Sequence, residues 1–375
     1  MKIALVTETY PPEVNGVAMT LSRLVQGLRT RGHRVEVVRP RQATELHARE
    51  KPLTEDLLVP GVPIPFYKAL RLGLPVTGRL RRRWATRRPD VVHVATEGPL
   101  GLAAVRAARA LRLPVTSSFH TNFHAYGGHY GFKPLRGAAL GYLRWFHNRT
   151  RCTLVPAGDL RAALESDGFE RLGVLARGVD AQLFAPGRRR PELRASWGAS
   201  ADTPVVIYVG RMAAEKNLGL AVEAFLAMQQ EAPRAKFVLV GDGPERPALA
   251  RQYPQFHYAG MRRGEDLAAH YASADVFVFP SVTETFGNVV TEALASGLVV
   301  LAYDYAAARE HVRSGENGFT VPFGDGGRFL AAAQEIMQRR SEWPALRAAA
   351  RASALAITWD AIIEKFEGEL RMAAG

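Results

Sequence analysis

Short, nearly continuous apolar runs alternate along this chain with longer stretches whose apolar residues recur every three or four positions. The first run, Lys2–Glu8 (KIALVTE), reads as a buried strand. Val17, Leu21, Leu24, Val25 and Leu28 then fall on one face of a helix ending near Gly32. HRVEVVRP follows as a strand, with PDVVHVAT (Pro89–Thr96), PVTSSFH (Pro114–His120) and CTLVP (Cys152–Pro156) as three more. The second half repeats the theme with TPVVIYVG (Thr203–Gly210), AKFVLVG (Ala235–Gly241), DVFVFPS (Asp275–Ser281) and LVVLAYD (Leu298–Asp304). Strand–helix alternation with apolar strands predicts parallel sheets covered on both faces, an α/β class.

A chain of 375 residues exceeds one core, so two domains are expected. The stretch Arg177–Gly198, rich in Gly, Pro and Arg and without a strong period, separates two halves of similar size. In open parallel sheets ligands bind beyond the carboxyl ends of the strands. The loops that follow the strands are therefore where the chemistry is sought.

Composition is that of a soluble globular protein, 47% hydrophobic and 23% charged. The single cysteine, Cys152, excludes an internal disulfide framework and a cysteine-based zinc site, and it fits a reducing compartment. MKIALV lacks a signal-peptide pattern, and no run reaches the about 18 apolar residues of a membrane span. A cytoplasmic location is expected. The net charge of +13 attracts anions, whether nucleic acid, acidic lipid or phosphorylated substrate.

Strand ends carry the candidate residues. After the first strand, TETYPPEVNGVAMTL forms a rigid loop in which Gly16 opens a helix; it is either an anion-binding helix start or a plain connecting turn. Neither G-x-G-x-x-G nor a P-loop occurs there. After Val205–Val209, GRMAAEKN offers Arg211 and Lys216, a guanidinium fork and an ammonium suited to a diphosphate, or else two solvated cations. In VGDGPER, Gly241 and Gly243 let a flat base or ribose approach the backbone, or simply make a turn. Of His120, His124 and His129, only His120 follows directly from a strand, and their spacing is not that of a zinc helix.

The stretch PSVTETFGNVVTEALASG (Pro280–Gly297) puts Glu284 before a helix and Glu292 within it, around Phe286, Gly287 and Asn288. First-turn N–H groups are free donors, and two carboxylates accept hydroxyl pairs. Read separately, these are a helix-start acid and a solvated glutamate. Together with Arg211 and Lys216 they suit a sugar and a ribose joined by a diphosphate.

PPEVNGVA, GRMAAEKN, GDGP, SADVFVFPS and ETFGNVVTE together resemble the retaining glycosyltransferases of family 4, over essentially the full length. The resemblance implies the GT-B fold: two Rossmann-like parallel-sheet domains facing across a cleft. An acceptor-binding domain would span 1–182, joined by a C-terminal helix at 358–375 (WDAIIEKFEGEL), and a nucleotide-sugar-binding domain 183–357. It assigns Arg211 and Lys216 to the donor diphosphate, Glu284 to the transferred sugar with Phe286, Gly287 and Asn288 helping, and Glu292 to the ribose. Gly16 would face the donor phosphate and His120 the anomeric carbon. Base discrimination, guanine or uracil, is expected around Arg262 and Arg263. One departure is YDYAAAREH (Tyr303–His311), where many members carry Gly-Gly.

FHTNFHAYGGHYGF and HNRTRCTLVPAGDLRAAL look most like a branch with GDP-mannose-dependent α-mannosyltransferases and sulfoquinovosyl-diacylglycerol synthases. This implies hexose transfer, mannose or glucose type, from a GDP- or UDP-linked donor to a lipid or glycan acceptor, with no cofactor and no metal. The rivals are a sugar-nucleotide epimerase on the same architecture and a nucleic-acid binder, the latter without a recognisable motif. Leu57–Pro89 has no acid but carries Lys68, Arg71, Arg79, Arg81, Arg82, Arg83, Arg87 and Arg88 among Phe66, Tyr67, Leu70, Leu72, Leu74 and Trp84. It reads as a peripheral contact with an anionic membrane or as a solvated basic face.

Overall fold

The computed structural model describes residues 1–13, 15–42, 45, 56–64, 67–120 and 133–375, and only the backbone of 64, 67–70 and 133–136. His124, His129 and Phe66 lie outside the described residues, as do the side chains of Lys68, Tyr67 and Leu70.

The chain forms two compact units, Met1–Arg177 with Trp359–Gly375, and Gly178–Thr358. The division falls at Arg177, inside the breaker-rich stretch but ahead of residue 182.

The first unit holds β1 (Lys2–Val6), β2 (Arg34–Pro40), β3 (Leu57–Val59), β4 (Gly61–Ile64), β5 (Tyr67–Gly73), β6 (Val91–Val94), β7 (Val115–Ser118), β8 (Cys152–Val155) and β9 (Leu172–Val174). Seven of them make one sheet in the order β3-β2-β1-β6-β7-β8-β9, with every pairing parallel. β4 and β5 pair antiparallel as a separate ribbon. The C-terminal helix Trp359–Ala374 packs into this unit through Ile363, Phe366, Leu370 and Ala373, against Ile3, Leu5, Leu21 and Leu24. On its polar side Glu367 meets His33 and Arg31, and hydrogen bonds from Arg371 and then His33 hold its carboxyl down at about 2.

The second unit holds β10 (Val205–Val209), β11 (Lys236–Val240), β12 (His257–Gly260), β13 (Val276–Phe279), β14 (Val299–Tyr303) and β15 (Phe319–Val321). They form one parallel sheet in the order β12-β11-β10-β13-β14-β15. Its central strands are apolar on both faces because helices cover both; every residue of β10, β13 and β14 is buried.

Strand order reverses between β1 and β6 in one sheet and between β10 and β13 in the other. These are the topological switch points, where connections diverge to opposite faces and leave a crevice beyond the strand ends.

Candidate active site

The switch point of the second unit brings together the loops after β10 and β13. From β10 the chain passes Arg211, makes a 3-10 turn at Ala214–Lys216 and enters the helix Leu218–Glu231. From β13 it passes Ser281 and Glu284 and enters the helix Asn288–Ala295. Lys216 Nζ donates to the Thr283 carbonyl at 3.2 Å and forms an ion pair with Glu284 Oε1. Ser281 Oγ donates to the same carboxylate oxygen at 2.7 Å, and Tyr305 donates its hydroxyl to the Glu284 carbonyl at 2.7 Å. Glu284 is thus fixed at its side chain by Lys216 and Ser281 and at its backbone by Tyr305. Tyr305 comes from YDYAAAREH, so the departure from Gly-Gly supplies a hydroxyl that braces the Glu284 loop.

Gly287 caps the helix at φ +92°, a left-handed conformation that a side chain would strain. That bend turns the chain from Glu284 into the helix, while buried Phe286 anchors it, its carbonyl accepting Ala307 N at 2.7 Å. Asn288 is the first helical residue. The space enclosed by Ser281, Glu284, Phe286, Gly287 and Tyr305 is about 10 Å³, room for one water at most.

Glu292 lies one turn along that helix and accepts a hydrogen bond from the Tyr271 hydroxyl at 3.1 Å. Burial pushes its carboxyl up to about 7, against the Tyr271 bond, which holds it down. Arg211 is half-exposed, with Nη1 3.8 Å from buried Glu215, and its carbonyl accepts the Tyr208 hydroxyl at 3.0 Å. Burial raises the Tyr208 pKa far above its ordinary value, and the charges of Glu284, Glu215 and Glu245 add to that.

The β10 and β11 loops are zipped together by Met212 N to Asp242 O at 2.9 Å and Glu245 N to Met212 O at 3.0 Å. The same joint gives Gly241 and Gly243 a packing role. A Cβ on Gly241 would lie 1.9 Å from the Gly210 carbonyl oxygen, and one on Gly243 2.3 Å from that of Met212. The missing side chains make room for neighbouring backbone. Arg262 is exposed, its Nε donating to Ala259 O at 2.8 Å and its Nη1 to Asp266 at 3.1 Å.

Gly16 and His120 belong to the first unit. Gly16 opens the helix Gly16–Thr30, where Asn15 Oδ1 accepts Ala18 N at 2.9 Å. Asn15 Nδ2 donates to Thr9 Oγ1 at 2.7 Å, stiffening the loop. His120 follows β7 and is only 8% exposed, with neither ring nitrogen hydrogen-bonded among the described residues. Burial first, then the charges of Arg177, His93 and His147, hold its pKa well below the usual value, so the imidazole is neutral at pH 7.

Glu8, which the sequence reading took only as a strand end, sits at the first unit's switch point. It accepts Leu100 N at 3.0 Å, and burial, with the charge of Glu97 adding, pushes its carboxyl up to about 7. Glu97 pairs with buried His147 at 3.1 Å. An acid directly after an apolar strand is the only sequence signal that marked Glu8.

In the basic segment, Trp84 and Leu80 are fully buried in the core, with Val38, Leu57 and Val92. The expected interleaving of exposed aromatics with arginines therefore fails at Trp84. Arg83 pairs with Glu36, while Arg79, Arg81, Arg82, Arg87 and Arg88 are exposed.

Comparison with known proteins decides the family. Residues 14–183 match the family described as Glycosyltransferase Family 4, and residues 203–339 the one described as Glycosyl transferases group 1. A GDP-mannose-dependent alpha-mannosyltransferase of Mycobacterium tuberculosis is 34% identical, over 100% of this chain and 97% of its own length. The chain belongs to glycosyltransferase family 4. A protein of Corynebacterium glutamicum with the same description is 33% identical over 96% of this chain and 86% of its own length. The sulfoquinovosyl transferase SQD2 of Arabidopsis thaliana is 30% identical over 83% and 62%. Among solved structures, sucrose-phosphate synthase of Thermosynechococcus elongatus superposes with a TM-score of 0.79 at 20% identity, covering 99% of this chain and 98% of the other. Anabaena HepE in complex with UDP and glucose gives 0.75 at 20% identity, covering 99% and 100%. These likenesses show the α/β GT-B fold, and the relatives named are transferases rather than epimerases.

Proposed function

We propose that this glycosyltransferase moves a mannosyl group from GDP-mannose to a lipid acceptor with retention at the anomeric carbon. The observation that carries the reading is the Lys216–Glu284 pair at the switch point of the second sheet, braced by Ser281 and Tyr305. The donor assignment draws on relatives described as GDP-mannose-dependent at 33–34% identity over nearly the whole chain. The acceptor assignment draws on more distant relatives described as alpha-monoglucosyldiacylglycerol synthases, at 28–29% identity. GDP-mannose is an α-glycoside, so an α-linked product means retention.

In this reading Lys216 and Arg211 stabilise the charge that develops on the leaving diphosphate, worth about 3–4 kcal/mol for one such contact. Lys216 exchanges its bond to Glu284 for the diphosphate, and Glu284 turns its acceptor oxygens to sugar hydroxyls. Glu292 takes the ribose hydroxyls. His120, which the family resemblance assigns to the anomeric carbon, is neutral and would offer there a lone pair or a neutral N–H. A double displacement needs a carboxylate on the opposite sugar face, and the sequence motifs reveal none, which favours front-face substitution in which the leaving phosphate takes the acceptor proton. Two protein cations at the diphosphate take the part a metal would play, and no cofactor is invoked.

The exposed arginines of the helix Thr77–Thr86 and the residues after it support an electrostatic contact with an anionic membrane. No helix among the described residues is long and apolar enough to cross one. The deciding experiment incubates the purified chain with labelled GDP-mannose or UDP-glucose, diacylglycerol-based acceptors and excess chelator, and assigns the product anomer by NMR. An α-mannolipid formed with chelator present is expected. A β product, transfer abolished by chelation, or sugar epimerised without acceptor would each overturn the corresponding part.

A further inference from the structure

The end of the second sheet opposite the candidate active site carries an open cavity of about 750 Å³. It lies at the amino ends of β13 and β14, beside Asp275 and Gly297, whereas Lys216 and Glu284 follow carboxyl ends. A five-residue strand separates the two ends by about 16 Å. Four arginines line the cavity, Arg189, Arg340, Arg347 and Arg351, against one carboxylate, Asp275. The rest of the lining is apolar, including Trp343, Pro344 and half-exposed Leu355.

Asp275 is already heavily used. Its Oδ1 accepts from Arg189 at 3.0 Å and Arg347 at 3.3 Å, and its Oδ2 from Arg194 at 3.1 Å and Val205 N at 2.9 Å. One negative charge therefore serves three guanidiniums. Burial lowers the Arg347 pKa from its ordinary value; Asp275 opposes that, and Arg189 and Arg194 add to it. Part of the arrangement is structural. Arg351 donates to Ala295 O and Arg347 to Gly297 O, which satisfies carbonyls left at the end of the helix Asn288–Ala295. Arg351 also donates to Phe184 O and Ala181 O, Arg189 to Ala272 O and Ala274 O, and Arg340 to Asp202 O, bonds that still leave donors on each five-donor fork. These backbone bonds give no reason for surplus positive charge around an open cavity of this size, because like charges in a partly desolvated place oppose one another.

We propose that this cavity binds an organic phosphate, with its oxygens on the arginine forks and its apolar part along Trp343, Pro344 and Leu355. Arginine matches such oxyanions by bidentate geometry as well as charge. A soluble phosphomonoester and a phosphatidate headgroup present the same dianion, so the test separates the two sources.

Thermal unfolding of the full chain is titrated with inorganic phosphate and with glycerol 3-phosphate, and co-sedimentation is measured with vesicles of phosphatidylcholine alone or with phosphatidate. A saturable rise in melting temperature is expected, retained in Lys216→Ala, where the diphosphate site is impaired. In Arg340→Gln and Arg347→Gln the half-saturating concentration should rise about tenfold or more. Arg347 holds buried acceptors and its loss can unfold the chain, so exposed Arg340 decides, and transfer at saturating donor should stay within about twofold in that variant. Phosphatidate-dependent sedimentation lost in Arg340→Gln assigns the site to lipid; a response to the soluble esters alone assigns it to soluble phosphates. No saturable response, a response indifferent to Arg340, or one abolished by Lys216→Ala would overturn the site.

Discussion

Lys216, at the end of a 3-10 turn after β10, reaches across the switch point and makes an ion pair with Glu284 in the loop after β13. Both side chains are about five-sixths buried, at 15% and 16% exposure. One sheet thus sets a cation and a carboxylate in contact through loops 68 residues apart in sequence. Removing the ammonium leaves Glu284 its bond from Ser281, so the fold keeps a partner for the remaining charge. Lys216→Ala is therefore expected to lower turnover by about 10²–10³-fold. Its cost in stability should stay below the about 3–5 kcal/mol of an orphaned buried charge. Steady-state transfer and thermal melts on the same preparation check this. Near-normal turnover would remove Lys216 from the mechanism.

Much of this architecture was legible in the sequence, and what escaped was consistent. The nine strands read from apolar runs all form, and each sheet interior is built from them. The strands missed in the two large sheets are β3, β9, β12 and β15, the four sheet edges, each only three or four residues long. An edge strand pairs on one side only and needs no long apolar run, so periodicity gives it no signature. At the site, motif positions such as Lys216 and Glu284 could be named, but not their direct pairing, which is a property of strand order. Tyr305, Tyr271 and Ser281 were invisible as partners for the same reason. Gly241 and Gly243 marked a close approach, and backbone of the neighbouring loop makes one at each, a contact that only strand order reveals.

Glu292 links the site to pH. Its folded carboxyl titrates near 7, above the ordinary 4.5, so between those values the folded chain holds a proton that the unfolded chain has lost. The unfolded state then binds fewer protons, and this group's contribution to stability falls as pH rises through that window and stays low above it. Glu292→Gln keeps the shape and removes the titration. The variant should gain stability relative to the parent from pH 4.5 to about 7 and hold that gain above. His93, held at about 3 by burial against an ordinary 6.5, works in the other direction: its contribution is lost as pH falls below 6.5. Denaturant melts across pH 4–9 separate the two, and a stability difference independent of pH would contradict the assignment to Glu292.

Gly243→Ala tests the joint between the β10 and β11 loops. The added methyl would lie 2.3 Å from the Met212 carbonyl oxygen, a rigid backbone atom, so the loops must part. The bonds Met212 N to Asp242 O and Glu245 N to Met212 O would be lost with it. A destabilisation of about 2–4 kcal/mol is expected. Because Arg211 and Lys216 ride on the displaced loop, KM for the donor should rise as well. An alanine variant with unchanged melting and KM would show that the loops tolerate separation.

The basic segment separates charge from packing. Arg79, Arg81, Arg82, Arg87 and Arg88 are exposed, while Leu80 and Trp84 on the same helix are buried in the core. This helix can be drawn to an anionic bilayer, and because its one aromatic, Trp84, is turned into the core, the adhesion of the helix should rest on Coulomb attraction. Each arginine near such a surface is worth about 1 kcal/mol, screened within a Debye length of about 10 Å at 0.1 M salt. Co-sedimentation with vesicles containing anionic lipid should be strong at low salt and mostly lost by 0.5 M, a regime in which the Debye length is about 4 Å. Replacing Arg81, Arg82 and Arg87 by Gln should weaken it by about 3 kcal/mol without changing the melting temperature. Trp84→Ala should do the reverse, costing about 3–5 kcal/mol of fold stability while the surviving folded fraction binds vesicles as before. Binding that persists in high salt and depends on Trp84 would instead mean that this helix opens at the membrane and exposes its apolar face.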